Sequence, residues 1–231
     1  MGEDWSRRRL GVALALTALP VALTSVALRL GPLQGGGGPP PIRSRYSDFA
    51  VYAVSNWITL ALVVRIVGWR RLRASGLRMS ISAARIVAAC VAFVVGLGVY
   101  GGVSAALHRW GLPAVRGMDF TSPSASELTV LFFSVVMTAA FCEEVFFRVL
   151  WVGALRTVMP VGGAALASLV AFAAIHYPYF GPGGVLFISV WALLPLGLFL
   201  WFGDCAASVA MHMMNNAFAY LVVPLFLAPP R

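Results

Sequence analysis

Seven stretches of about twenty residues, nearly all apolar, follow one another along this 231-residue chain and leave little sequence between them. A hydrocarbon layer about 30 Å thick is crossed by ~20 helical residues rising 1.5 Å each. By that ruler the stretches fall at roughly 10–28, 49–68, 86–107, 128–156, 161–178, 184–202 and 205–227. Lipid satisfies no backbone polar group, so each stretch must close its own hydrogen bonds as a helix. The expected fold is all-α: a polytopic transmembrane helical bundle of about seven membrane helices, within a range of six to eight. The fourth stretch is too long for a perpendicular crossing and should tilt or project.

Composition agrees. Apolar residues make up 60% and charged residues 11%, against roughly 45–50% and about 25% in soluble domains. Mean hydropathy is +0.87. That excludes a water-soluble globule and a disordered chain. The net charge of +9 does not mark a nucleic-acid binder, because the basic residues sit between apolar stretches. All 17 are Arg, a bias that reads as a GC-rich, bacterial genome and thus a plasma-membrane location. Cys90, Cys142 and Cys205 lack CxxC spacing and read as small buried hydrophobes, with no disulfide framework or thiolate zinc site.

Residues 1–127 hold membrane helices and loops without chemical motifs, and residues 128–231 hold the polar groups described below. The first apolar stretch, behind Arg7, Arg8 and Arg9, exceeds the 7–15 residues of a signal-peptide core and reads as an uncleaved anchor. Gly31 to Pro41, with four adjoining glycines and three prolines, should be a loose extramembrane loop. Arg70, Arg71, Arg73, Arg78 and Arg85 between stretches two and three place that loop, and with it the N-terminus, on the cytoplasmic side. Arg29, Arg43 and Arg45 would then lie outside, against the rule.

A charge inside a membrane helix costs ~2.5–3.5 kcal/mol on insertion scales, so each one needs a reason. Arg65, at a helix end, can snorkel. The others cluster in the second half. In Phe141-Cys142-Glu143-Glu144-Val145-Phe146-Phe147-Arg148, Glu144 and Arg148 stand four apart, acid first, the favourable order for an ion pair on one helical face. Glu143 is the spare carboxylate, about 100° further round. Such charges serve equally as glue between helices or as a reactive site. The second element is Phe172-Ala173-Ala174-Ile175-His176. A tight turn at Val158–Pro160 predicts an antiparallel hairpin of stretches four and five. Glu143 precedes the turn by 15 residues and His176 follows it by 18, which gives depths of about 23 and 27 Å. A carboxylate and an imidazole at one level form a water-activating couple if they face each other.

The third element is His212-Met213-Met214-Asn215-Asn216. His212 and Asn216 share a face at i, i+4 and offer donors that can stabilise an oxyanion or join helices; Asn215 reads as structural. His108 reads as a surface histidine, Asp204 as the N-cap of the last helix, and Gly181-Pro182-Gly183-Gly184 as a turn. HExxH is absent, so a zinc site would have to assemble from Glu143, His176 and His212 on three helices. No cofactor is expected, and a divalent metal such as zinc is the alternative.

Together the three elements resemble the CPBP family of intramembrane proteases, which includes type II CAAX prenyl endopeptidases and bacteriocin-processing proteins. That family is marked by EExxxR, FxxxH and HxxxN, in that order, on successive membrane helices. The resemblance covers about residues 128–220, and Val149 departs from the Gly that commonly follows the arginine. It implies an intramembrane endopeptidase in which Glu143 and His176 activate water, His212 and Asn216 bind the oxyanion, and Glu144 and Arg148 support the site. The implied partners are the bilayer and a membrane-associated protein or peptide substrate. Two other classes use the same residues: a non-catalytic immunity or scaffold protein on this fold, and a proton-coupled transporter. The transporter reading lacks paired broken helices, since Pro195 in stretch six has no counterpart. Serine GxSG and aspartyl GxGD signatures are absent.

Overall fold

A computed structural model describes residues 7–30, 42–112 and 123–227; the Gly31–Pro41 segment lies outside them. The chain forms α1 (Arg7–Leu16), α2 (Leu19–Leu30), α3 (Ile42–Val67), α4 (Trp69–Ala74) and α5 (Ala83–Arg109). Then follow α6 (Ala125–Leu155), α7 (Val161–Ile175), α8 (Tyr177–Trp191), α9 (Leu193–Phe202) and α10 (Ala206–Phe226). No strand occurs among the described residues, and the all-α expectation holds.

Five segments are long and apolar enough to cross a membrane: Asp48–Val67, α5, α6, the joined α8–α9 and α10; α1 with α2 makes a sixth across a 40° bend. The protein is an integral, multi-pass membrane protein. Three stretches depart from the sequence expectation. The first is broken at Thr17–Ala18, where Pro20 offers no N–H to the preceding turn and the Thr17 hydroxyl donates to the Leu14 carbonyl at 2.7 Å. The fifth, α7, has only 15 residues, short of a full crossing. The sixth starts earlier than expected, at Tyr177, and bends at Gly181 (φ 65°), so the Gly181–Gly184 turn is a kink between helical pieces.

Sequence signals explain several boundaries. Ser124 and Glu127 form a capping box at the start of α6. Ser82 accepts from the Arg85 backbone N–H at the start of α5. Gly203, at φ 66°, ends α9. Within α6 the hydrogen-bond ladder widens to i→i+5 over Phe132–Ala139 and Val145–Val152, either side of Ala140–Glu144. Such π turns are rare and cluster at functional positions.

α6 is the central helix: 72% of its apolar window is buried within the protein, against 11% for α5, which faces outward. Because lipid is as apolar as leucine, helices associate here through close packing and polar contacts. The core joins Val145, Phe146, Phe147, Val149 and Leu150 of α6 with Phe172, Trp191 and Met211. Phe147 packs edge-on against Phe172, and its carbonyl accepts from the Ser168 hydroxyl, so α6 and α7 mirror each other about the Val158–Pro160 turn. The expected hairpin is present.

The arginine-rich segment around α4 is clamped to one end of the bundle. Gly153 leaves room for Ser75, the Gly76 carbonyl accepts from Cys205 N–H at 3.1 Å, and Arg85 meets Asp204 at 2.6 Å. Asp204 is not the expected N-cap: that position is Cys205, and Asp204, one residue earlier, accepts from the Ala206 N–H and pairs with Arg85 instead. Cys142 and Cys205 are buried, whereas Cys90 is exposed; that correction follows from its place on the outward-facing α5. His108 is exposed, as expected.

Candidate active site

The central turn of α6 places Glu143, Glu144 and Arg148 inside the bundle, at 4%, 0% and 0% exposure. Glu144 Oε2 and Arg148 Nε lie 3.3 Å apart, an i, i+4 ion pair in the order the sequence suggested. The guanidinium also lies over the Phe172 ring, 4.7 Å from its centroid. Its nitrogens have no hydrogen-bond partner among the described residues. Arg148 is therefore held by charge and by the aromatic face.

α10 brings His212 to the same turn. Its Nδ1 is 3.0 Å from Glu144 Oε1, and its Nε2 is 3.8 Å from Glu143 Oε2. An ionised carboxylate only accepts, so Nδ1 carries the proton toward Glu144. The Nε2 separation is too long for a hydrogen bond but within reach of charge. Trp191 of α8 packs edge-on to this imidazole at 5.0 Å, and Phe172 lies 6.2 Å away.

His176 stands at the α7–α8 junction, between Phe172 at 4.8 Å and Phe180 at 6.0 Å. Its Nδ1 donates to the Phe172 carbonyl at 2.7 Å. A carbonyl only accepts, so neutral His176 keeps its lone pair on Nε2, the form that can take a proton. His176 lies within electrostatic range of Glu143, but no hydrogen bond joins them among the described residues. The expected face-to-face couple is thus not a direct contact: each group has taken another partner.

Asn216 differs from expectation in a similar way. Its Nδ2 donates to the Val135 carbonyl of α6 at 3.0 Å, and its Oδ1 accepts from Asn215 at 3.3 Å. One amide N–H is therefore tied to the backbone of a π-helical stretch, and His212 and Asn216 do not share one acceptor.

Sequence reading missed the contribution of α3. The Tyr52 hydroxyl donates to Glu143 Oε1 at 2.8 Å. Asn56 and Thr59 are fully buried, and Trp57 Nε1 donates to Thr138 at 3.1 Å. The signal was present: Tyr52, Ser55, Asn56 and Thr59 recur at i, i+3, i+4 and i+7, a polar stripe along an apolar helix.

A cavity of about 450 Å³ opens beside the arginine-rich segment, with Trp69, Arg73 and Arg78 at one part of its wall and Phe141, two residues before Glu143, at another. Metal fit is poor. Among the described residues no group of three His, Cys, Asp or Glu side chains converges to hold an ion. The three groups named from sequence do not close on one point.

Chemically, the cluster offers two carboxylates, two imidazoles and a guanidinium, supplied by α6, α10 and the α7–α8 junction. No curated protein and no solved structure matches the chain. A family model does match, over residues 125–218, the span that holds all three sequence elements. The family resemblance is thus borne out, and that segment matches the Rce1-like type II CAAX prenyl endopeptidases.

Proposed function

We propose that the chain is an intramembrane endopeptidase that hydrolyses a peptide bond of a membrane-associated protein or peptide. One observation carries the reading: His212 sits between the two motif carboxylates, 3.0 Å from Glu144 and 3.8 Å from Glu143, inside the bundle. Structural glue would need only one ion pair, and Glu144 with Arg148 supplies it. Glu143 and His176 are additional ionisable groups with no such need.

In this reading a water molecule held by Glu143 and the free Nε2 of His176 gives up a proton as its oxygen attacks the peptide carbonyl carbon. The carbonyl π electrons move to oxygen. That developing charge is met by protonated His212 at Nε2 and by the second amide N–H of Asn216. Collapse re-forms the C=O bond and breaks C–N, and the departing nitrogen takes the proton that water gave up. Water thus supplies OH to the new carboxyl and H to the new amine. Glu144 accepts from Nδ1 of this imidazolium and orients it, and Arg148 offsets the charge of Glu144. No step passes through a metal. The N-terminus and the Arg70–Arg85 region face the cytoplasm of a bacterial cell, so a substrate from that side meets the cavity beside Arg73 and Arg78.

Glu143→Ala and His176→Ala should each abolish cleavage while expression and membrane insertion stay unchanged. Comparing new protein termini in membranes that carry wild type or Glu143→Ala measures this. Full proteolysis by purified Glu143→Ala would overturn the mechanism. Complementation of a deletion by that variant would favour the scaffold class, and proton flux in liposomes the transporter class.

A further inference from the structure

Tyr52 belongs to α3, outside the segment that matches the protease family, yet its hydroxyl makes a 2.8 Å hydrogen bond to Glu143 Oε1. A carboxylate has two oxygens, and this contact distinguishes them. Oε1 is engaged by the phenol; Oε2 is the oxygen 3.8 Å from His212 Nε2. The backbone that carries the phenol is itself held. One turn on, the fully buried Asn56 returns its amide to the Tyr52 carbonyl at 2.8 Å. Trp57 then ties α3 to α6 twice, through its hydrogen bond to Thr138 and by stacking on Phe141 at 6.0 Å. Thr138 and Phe141 are five and two residues before Glu143, so the two helices are joined next to the carboxylate.

We propose that Tyr52 is a positioning residue for peptide hydrolysis: its hydroxyl holds Glu143 Oε1 and leaves Oε2 as the oxygen that takes the proton from water. This rests on the hydrolase reading above. A hydrogen bond of this charge-assisted kind pre-organises the base without touching substrate. Tyr52→Phe keeps the ring and removes only the donor.

The test uses full-length protein in isolated host membranes and follows the initial rate at which wild-type-specific termini appear. Tyr52→Phe should lower that rate roughly 10- to 100-fold, the range set by a hydrogen bond to a charged group, while expression and membrane insertion stay unchanged. On any single substrate recovered from those membranes the fall should be in kcat, with KM unaltered. Non-additivity supplies the specific readout. In a Glu143→Asp background the shorter carboxylate no longer reaches the phenol, and Tyr52→Phe should have no further effect. In an Asn216→Ala background it should keep its full effect. Wild-type rates in Tyr52→Phe alongside a dead Glu143→Ala would overturn this inference alone, as would an equal loss in the Glu143→Asp background. Equal termini from wild type and Glu143→Ala would overturn the hydrolase reading and this inference with it.

Discussion

His212 Nδ1 lies 3.0 Å from Glu144 Oε1, so the histidine of α10 is held by the second glutamate of the α6 element and only approached, at 3.8 Å, by the first. The two carboxylates thereby divide their work. Glu144 is fully enclosed between a cation and an imidazole, and Glu143 is left with a phenol on one oxygen and freedom on the other. Adjacent residues of one helix reach these different surroundings because they point about 100° apart around its axis.

Arg148 is the only arginine paired with Glu144 among the described residues, and both are fully buried. Arg148→Met should cost about 3–5 kcal/mol, the range for stripping one partner from a buried pair. Pairing it with Glu144→Gln removes the stranded charge and should recover much of that stability without recovering proteolysis. Denaturant unfolding in detergent, read beside cleavage, checks both halves.

Gly153 lets the segment after α4 reach α6. A Cβ added there would sit 2.5 Å from Ser75 Cβ and 2.7 Å from its Oγ. Gly153→Ala should therefore destabilise the bundle by about 1–3 kcal/mol through overpacking, and Ser75→Gly should relieve most of it. Melting temperatures of the two single variants and the double variant give the answer.

Arg85 and Asp204 meet at 2.6 Å with 24% and 5% of their side chains exposed, and Arg85 also lies over Phe202 at 5.1 Å. Charge-assisted hydrogen bonds contribute about 1.5–3 kcal/mol, and the partly exposed arginine lowers that toward 1 kcal/mol. Arg85→Ala should show a loss of about that size. The reversed pair Arg85→Asp with Asp204→Arg should be more stable than either single reversal.

Chelators should leave cleavage unaffected, because among the described residues no three His, Cys, Asp or Glu side chains converge on one ion. Activity lost to phenanthroline and restored by zinc would sink the metal-free mechanism.

Much of the fold was legible because membrane insertion writes itself locally. Length and apolarity place the helices of stretches two, three and four within a few residues. The break at Thr17–Ala18 and the 15-residue α7 escaped a ruler that sees only apolar runs. In the site, the Glu144–Arg148 pair could be read from spacing, since both groups ride one helix. The partners of Glu143, His176 and Asn216 could not, because each found a group on another helix or on a backbone carbonyl.

By itself, then, the order of residues determined that helices form, which polar groups must be sheltered from lipid, and which lie on a common face. Those outcomes depend on helical pitch and transfer energy, both properties of short segments. Tertiary structure alone decided that Tyr52 reaches Glu143 and that Arg85 finds Asp204, across 91 and 119 positions of chain. Such meetings follow from how helices tilt and interlock, and side-chain shape fixes that over the whole bundle at once.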